Sequence, residues 1–492
     1  MQRTDPEYCR ALRFLFDRIN YEKTVDRPYH SGEFKLTRMA FLLELLGNPQ
    51  LAAPVIHVAG TKGKGSVCWL LAEAFRLSSL RTGLFTSPHL VDLEERFVVQ
   101  GEPVAPGVLC EGIERLRHVE SLCAASEHGR PTFFELTTAL GWFLFAQAKT
   151  DVNVIEVGLG GRLDSTNVCA PELCIITSIS YDHQQQLGET LSLIAGEKAG
   201  IIKEGCPVIS GARALEAAEV IRAVAKSKNA ELLELGTDFE CEWSLQAKLQ
   251  ASGSNAEHNG CNSSVIFSHK LPRGVSKGPV AFDLRMLGSH QGDNAALAVA
   301  AWHKLQAMGW DLSDDALRAS LAGTQVPARL EIVSESPLWI LDAGHNEASI
   351  TAMLSALDAY FPDFIKTIVF ACSKDKKVQE MLRLIVPKVD RLVLTQFQSN
   401  PRFTPVEKLE QLTNEILGTV AVANAEGVAV EGVATKCSVV KPAPMILSAS
   451  DLPQAIEFLR HHPFESRGRQ EVIVITGSFF IAAEAKAIMS SV

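Results

Sequence analysis

The chain has 492 residues, 47% of them hydrophobic and 21% charged, which is longer than one hydrophobic core usually serves and too apolar for a disordered chain, so two folded domains are expected. Its formal net charge of −10 excludes general nucleic-acid binding, because no basic excess is present to neutralise a phosphate backbone; an anionic substrate must meet locally placed positive charge. Eleven cysteines stand singly without Cys-x-x-Cys pairs, which argues against a disulfide frame or a zinc site and fits reduced thiols in the cytoplasm.

In chain order, the first residues mix Asp5, Glu7, Arg10 and Arg13 with apolar side chains, and no apolar run anywhere approaches the ~20 residues that cross a bilayer, so no export signal or membrane partner is expected. The apolar run 55–59 reads as a strand. It leads into Gly60-Thr61-Lys62-Gly63-Lys64-Gly65-Ser66, and a helical pattern follows over 67–79. A strand that passes through glycines into a helix start leaves backbone N–H groups unpaired at the positive end of the helix dipole, and two lysines add full charges. That is a cradle for polyphosphate; the plainer alternative is an ordinary strand-to-helix turn. The order departs from the common Gly-x-x-x-x-Gly-Lys-Ser, since an extra glycine separates Lys64 from the Ser66 hydroxyl.

Further strands are expected at 154–157, 174–177 and 207–210. The stretch 249–279, rich in Ser, Gly and Asn, reads as a loop or hairpin excursion. Helices are expected at 293–308 and 314–322, and a fresh series of strands begins beyond 325–329 with 338–341, 367–370, 392–394 and 472–475. Residues 418–441 read as a second insertion. Short apolar runs alternating with amphipathic ones indicate the α/β class with a largely parallel sheet, and the domain boundary is set near residue 325. Such sheets bind ligands beyond the carboxyl ends of their strands.

Four polar clusters fall at strand ends or helix starts: Thr86-Ser87-Pro88-His89, Phe133-Phe134-Glu135, Glu156 through Gly160-Gly161-Arg162-Leu163-Asp164, and Tyr181-Asp182-His183. They supply a hydroxyl, carboxylates and an imidazole, a set able to hold magnesium beside a triphosphate, although magnesium prefers oxygen to histidine nitrogen. Each also has a plainer role when taken alone: Ser87 as a cap before a proline, Glu135 as a helix-start carboxylate, His183 as a satisfied or surface histidine. Phe133 and Phe134 are open to a place in the core or a stacking role.

The order of these motifs resembles the folylpolyglutamate synthase and dihydrofolate synthase family, a branch of the Mur ligase superfamily. The resemblance runs from Leu36-Thr37-Arg38-Met39 and Leu46-Gly47-Asn48-Pro49 through the glycine loop, Thr86-Ser87-Pro88-His89-Leu90, the Glu156 to Asp164 run, Glu197-Lys198-Ala199-Gly200 and His290-Gln291 with Asn294. It continues through Arg329-Leu330-Glu331 and Asp342-Ala343-Gly344-His345-Asn346 to Thr476-Gly477-Ser478. It implies a P-loop-containing, mostly parallel-sheet ATP-binding domain over 1–325 and a smaller Rossmann-like α/β domain over 326–492. It implies ATP-dependent joining of L-glutamate to folate or dihydropteroate through an acyl phosphate, with Mg2+ and in a monomer. Gly60, Thr61, Lys62, Gly63, Lys64, Gly65 and Ser66 would hold the triphosphate, with Lys64 and Ser66 nearest its end. Ser87, Glu135 and His183 would bind magnesium. Asn294, Arg329 and Asp342 would contact the nucleotide, with His345 close by. Lys198 matches a lysine that the family carbamylates to support a second magnesium, and Lys64, Lys198 and His183 would serve the reaction.

Many members of the family carry asparagine at the position of Lys62, so this extra charge either faces the phosphates or turns into solvent. The insertions after Leu249 and Gly418 exceed the family pattern. A peptidoglycan-type ligase of the same superfamily places a nucleotide-sugar domain first, and only 59 residues precede Gly60. An ATP-gated regulator without ligase chemistry is disfavoured by Ser87, Glu135, His183 and Lys198 occurring together.

Overall fold

Val55–Ala59 combines the β-branched Val55, Ile56 and Val58 with His57 and Ala59 and is buried along its whole length, which suits a strand with neighbours on both sides and helices on both faces. It forms β1. In this computed structural model, residues 4–20, 36–245, 263–269, 279–426, 443–464 and 468–489 are described. They divide into two compact units, one drawn from Met1–Gln246, Asn262–Arg285 and Gln291–Thr324, the other from Met286–His290 and Gln325–Val492.

The first unit is built on β1 with β2 (Thr82–Phe85), β3 (Phe97–Val99), β4 (Glu102–Pro103), β5 (Val152–Glu156), β6 (Leu173–Ile176), β7 (Val208–Ser210) and β8 (Leu232–Glu234). Their order is β4-β3-β2-β5-β1-β6-β7-β8, with β3 and β4 antiparallel at one edge and the other strands parallel. Register decides where the chemistry gathers. Val58 lies level with Glu156 and Ile175, and Phe85 with Ile155, so the segments that follow β1, β2, β5 and β6 all leave from one carboxyl edge. A small antiparallel sheet, β11-β10-β9, joins β9 (Phe239–Leu245), β10 (Ser263–His269) and β11 (Val280–Leu284). Of the excursion expected at 249–279, Ser263–His269 is thus a strand, and 249–262 and 270–278 lie outside the described residues.

The second unit holds β12 (Glu331–Glu335), β13 (Leu338–Leu341), β14 (Ile365–Phe370), β15 (Arg391–Leu394), β16 (Met445–Ser448) and β17 (Glu471–Thr476), ordered β12-β13-β17-β14-β15-β16. All but β12 run parallel. Leu341 lies level with Ile475, and Phe370 with Thr476, so Asp342, Ala371 and Gly477 also leave from a common carboxyl edge. The insertion expected at 418–441 begins inside the helix Val406–Glu426, and 427–441 lie outside the described residues.

Candidate active site

The helix after β1 spans Lys64–Leu77, three residues earlier than its apolar periodicity predicts, because Gly63 in the left-handed conformation (φ +88°) sets its start. The N–H groups of Lys64, Gly65 and Ser66 precede any carbonyl the helix can offer, and no side chain caps them. The loop is shaped by close approach. A Cβ on Gly63 would lie 2.1 Å from Asn294 Oδ1, and one on Gly60 would lie 1.8 Å from Thr177 Oγ1. Thr61 N–H donates to the Ser178 carbonyl at 2.7 Å, and Thr177 Oγ1 donates to the Lys62 carbonyl at 2.7 Å. Open donors at the positive end of a helix, beside lysines, fit a phosphate group.

Two ammonium groups converge on the Gly60 carbonyl, Lys64 Nζ at 3.2 Å and Lys198 Nζ at 2.9 Å. Lys198 is buried, and burial, reinforced by the charge of Lys64, pulls its pKa down to about 7. Lys198 lies on the helix Leu191–Ala199, whose far end is clamped by the Gly158-to-Asp164 segment. Arg162 N–H donates to the Glu197 carbonyl at 2.8 Å, and its guanidinium reaches the Gly196 carbonyl at 3.0 Å and Glu197 Oε1 at 3.2 Å. Asn167 Nδ2 ties the Arg162 and Gly200 carbonyls together at 2.9 and 3.1 Å. Asp164 holds the turn by accepting from Leu159 N–H (2.8 Å) and from Thr166 N–H (3.0 Å) and Oγ1 (2.6 Å). Because the Thr166 hydroxyl proton goes to Asp164, His57 Nε2 must be the donor in its 2.9 Å contact with Thr166 Oγ1. Burial drives the pKa of that histidine down to about 3, so it is neutral and structural.

The carboxylate brought to the phosphate loop is Glu156, at the end of β5. Its Oε2 accepts the Ser87 N–H at 3.1 Å, and a Cβ on Gly65 would sit 3.8 Å from both of its oxygens. Glu135, expected to bind metal, has both carboxylate oxygens engaged by neighbouring groups. It is the third residue of the helix Phe133–Ala148, where its Oε2 accepts from Thr132 N–H and Oγ1 at 2.8 and 2.9 Å in a capping box, while its Oε1 pairs with buried Arg38 at 2.8 Å. Phe133 is fully buried against Phe16 and beneath Arg96, a core position.

Of the remaining expected residues in the first unit, His183 is exposed and in the left-handed conformation (φ +49°), with its N–H on Asp182 Oδ1 at 3.1 Å. Asn294, on the helix Ser289–Ala307, is oriented by Gln291 at 2.8 Å and faces Gly63. Among the described residues no three His, Cys, Asp or Glu side chains form a metal cage. Ser87 and Glu156 are joined by the 3.1 Å bond from the Ser87 N–H, and magnesium favours oxygen donors of this kind over the His183 nitrogen.

In the second unit, Asp342 follows β13, is buried, and accepts the Gly344 and Leu330 N–H groups at 2.8 and 3.3 Å. Burial raises its pKa, against the opposing effects of Arg329 and these hydrogen bonds. Arg329 is exposed between Ala328 and Leu330, both with positive φ, and His345 donates from Nδ1 to the Ala343 carbonyl at 3.0 Å. No described helix is long and apolar enough to cross a membrane.

Residues 58–302 match the Mur ligase middle domain and residues 328–479 the Mur ligase glutamate ligase domain. A dihydrofolate synthase/folylpolyglutamate synthase of Bacillus subtilis is 36% identical over 360 residues, 71% of this chain and 77% of the relative. A folylpolyglutamate synthase of Mycobacterium tuberculosis, solved in complex with ADP and AMPPCP, is similar with a TM-score of 0.78 at 28% identity, covering 98% of each chain. A further solved folylpolyglutamate synthase complex, containing AMPPCP and folate, has a TM-score of 0.71 at 27% identity over 98% of this chain and 99% of that one. Sequence and architecture together establish that the chain belongs to the folylpolyglutamate synthase and dihydrofolate synthase family of Mur ligases.

Proposed function

We propose that the chain uses ATP to activate the carboxylate of folate, dihydropteroate or both, and joins it to the amine of L-glutamate. The observation that carries this reading is the pairing of three uncapped helix-start N–H groups with Lys64 and Lys198 on one side and Glu156 on the other. A carboxylate resists amines because its charge repels the nucleophile and oxide leaves poorly. Transfer of the terminal phosphoryl group from ATP makes a mixed anhydride whose leaving group is phosphate. Lys64 and the loop N–H groups offset charge on the transferring group, where catalysis is mostly positioning and electrostatics. The glutamate amine then attacks and displaces phosphate.

Ser87, Glu156 and His183 are the residues we assign to magnesium, which when bound supplies charge compensation for the triphosphate. Glu156 takes the role that the family resemblance gave to Glu135. A Lys198 shed of its proton is the form that reacts with CO2, which supports its assignment as a carbamate. Asn294, Arg329, Asp342 and His345 are assigned to the nucleotide. The described cysteines are all free thiols, which supports a reducing, cytoplasmic compartment, and we assign a monomer.

ADP release is expected to require both glutamate and a pteroate or folate acceptor. Assays with dihydropteroate and tetrahydrofolate side by side decide which acceptor serves, and a glutamate-independent ATPase would remove the ligase reading. The two carboxylates are expected to separate cleanly. Glu156→Gln should lose turnover by about 10²–10³-fold with a parental melting curve. Glu135→Gln should leave Arg38 buried without its anion and destabilise the fold by about 3–5 kcal/mol, with turnover per folded molecule retained. Thermal melts combined with active-site titration distinguish these outcomes, and the reverse pattern would return the metal to Glu135.

A further inference from the structure

The Lys62 ammonium does not join Lys64 and Lys198 at the Gly60 carbonyl. Its backbone is pinned to the segment after β6, with its N–H on Ser178 Oγ at 3.2 Å and its carbonyl receiving Thr177 Oγ1 at 2.7 Å and Ser178 Oγ at 3.1 Å. From that fixed origin, Lys62 Nζ reaches Asp182 Oδ2 at 2.9 Å. The other oxygen of the same carboxylate, Oδ1, accepts the backbone N–H of His183 at 3.1 Å and lies 3.8 Å from its Nε2. One carboxylate thus spans the phosphate loop and His183. His183 needs such a tether, because it is a non-glycine residue at positive φ (+49°) and is otherwise exposed.

We propose that Lys62 is a positioning residue, acting through Asp182 to hold His183 in the orientation that serves the metal beside the triphosphate. The inference rests on the nucleotide reading of this loop given above. With Lys62 present, Asp182 is held by a cation on one side and by the His183 main chain on the other, so neither oxygen is free to swing. Without Lys62 the Oδ2 oxygen loses the cation that ties it to the phosphate loop, and His183 loses that reference to the loop. The pair is partly open to solvent, with side-chain exposures of 41% and 26%, so its influence is on geometry rather than on overall stability.

The test is the magnesium requirement of AMPPCP binding by calorimetry, beside that of ligase turnover at saturating ATP, glutamate and acceptor, for the parent and for Lys62→Met, Asp182→Asn, the double variant and Lys62→Arg. Lys62→Met is expected to raise the half-saturating magnesium concentration about two- to five-fold, the equilibrium worth of an exposed ion pair. Asp182→Asn should match it, the double variant should be no worse than either, and Lys62→Arg should restore the parental value. A purely structural role would shift melting temperature and leave the magnesium curve in place. An unchanged magnesium requirement in Lys62→Met overturns the proposal, above all if KM for ATP rises instead, which would mean Lys62 meets the phosphates directly. Fully additive single effects also overturn it. His183→Ala is run in parallel: if that variant keeps the parental magnesium curve, the metal assignment of His183 fails, a result distinguishable from failure of the Lys62 clasp.

Discussion

Lys198→Met is expected to cost about 10²–10³-fold in turnover while raising the melting temperature of the unliganded protein at pH 6–7. The two effects have one cause. In the unfolded chain the amine titrates near its ordinary value of 10.5, and in the folded protein burial brings it down to about 7. Between those values the unfolded state holds a proton that the native state has shed, so stability attributable to this group rises with pH across about 7 to 10.5. Below pH 7 both states are protonated and the whole penalty of the buried charge is present, on the order of 5 kcal/mol by linkage. Methionine fills similar space without the charge. The loss of the 2.9 Å bond to the Gly60 carbonyl returns about 1 kcal/mol, since Lys64 still serves that oxygen. The stability gap between variant and parent should therefore be widest near pH 6 and close toward pH 10, in melts taken across that range. On the proposed carbamate, which would form when the neutral amine adds to CO2 and releases one proton, turnover of the parent should fall as pH drops through about 7 and fall further in CO2-stripped buffer. Parental turnover in Lys198→Met would remove this residue from the reaction, and a pH-independent stability gap would remove the buried charge as the cause.

How far the sequence discloses such a site depends on whether the relevant partners are neighbours along the chain. The glycine loop is legible because its strand, glycines, lysines and helix start are contiguous, and runs such as 55–59, 367–370 and 472–475 are legible because strands buried on both faces have no polar alternation to confuse them. β2 is not legible in the same way. Thr82–Phe85 contains a glycine and only four residues, and it is a strand because β5 and β3 flank it. Glu135 and Glu156 differ in what their surroundings along the chain disclose. Thr132-x-x-Glu135 has the spacing of a capping box, a local signal that its carboxylate is already employed. Glu156 ends a strand buried at every position, Val152–Glu156, where a carboxylate must be met by polar partners, the Ser87 N–H among them. The partner of Lys62 could not be read at all, because Asp182 lies 120 positions away and meets it only once β1 and β6 are paired.

Gly60→Ala is expected to be the most damaging single methyl that can be added to the site, lowering ATP affinity at least about tenfold and stability by about 2–4 kcal/mol. Its φ of +146° is a conformation that alanine adopts only under strain, and the new Cβ would lie 1.8 Å from Thr177 Oγ1 and 3.0 Å from the Thr177 backbone nitrogen. A rotamer change could withdraw the hydroxyl, but that same hydroxyl holds the Lys62 carbonyl at 2.7 Å. The Thr177 backbone cannot follow, because its N–H donates to the Ala59 carbonyl at 2.9 Å and anchors the ladder of β1 and β6. The loop must move instead, carrying with it the carbonyl on which Lys64 and Lys198 converge. Gly63→Ala should be milder. Its new Cβ meets the end of the Asn294 side chain at 2.1 Å, which can turn away at the loss of its bond to Gln291. Gly205→Ala supplies the control: φ is +68° with nothing within 4 Å, so only local backbone strain of about 1–2 kcal/mol remains and nucleotide binding should be parental. Calorimetric titration with AMPPCP and thermal melts on the three variants should rank them in that order. If Gly60→Ala binds nucleotide as tightly as Gly205→Ala does, Thr177 does not fix the loop, and the convergence of the two lysines on Gly60 is not what shapes the phosphate site.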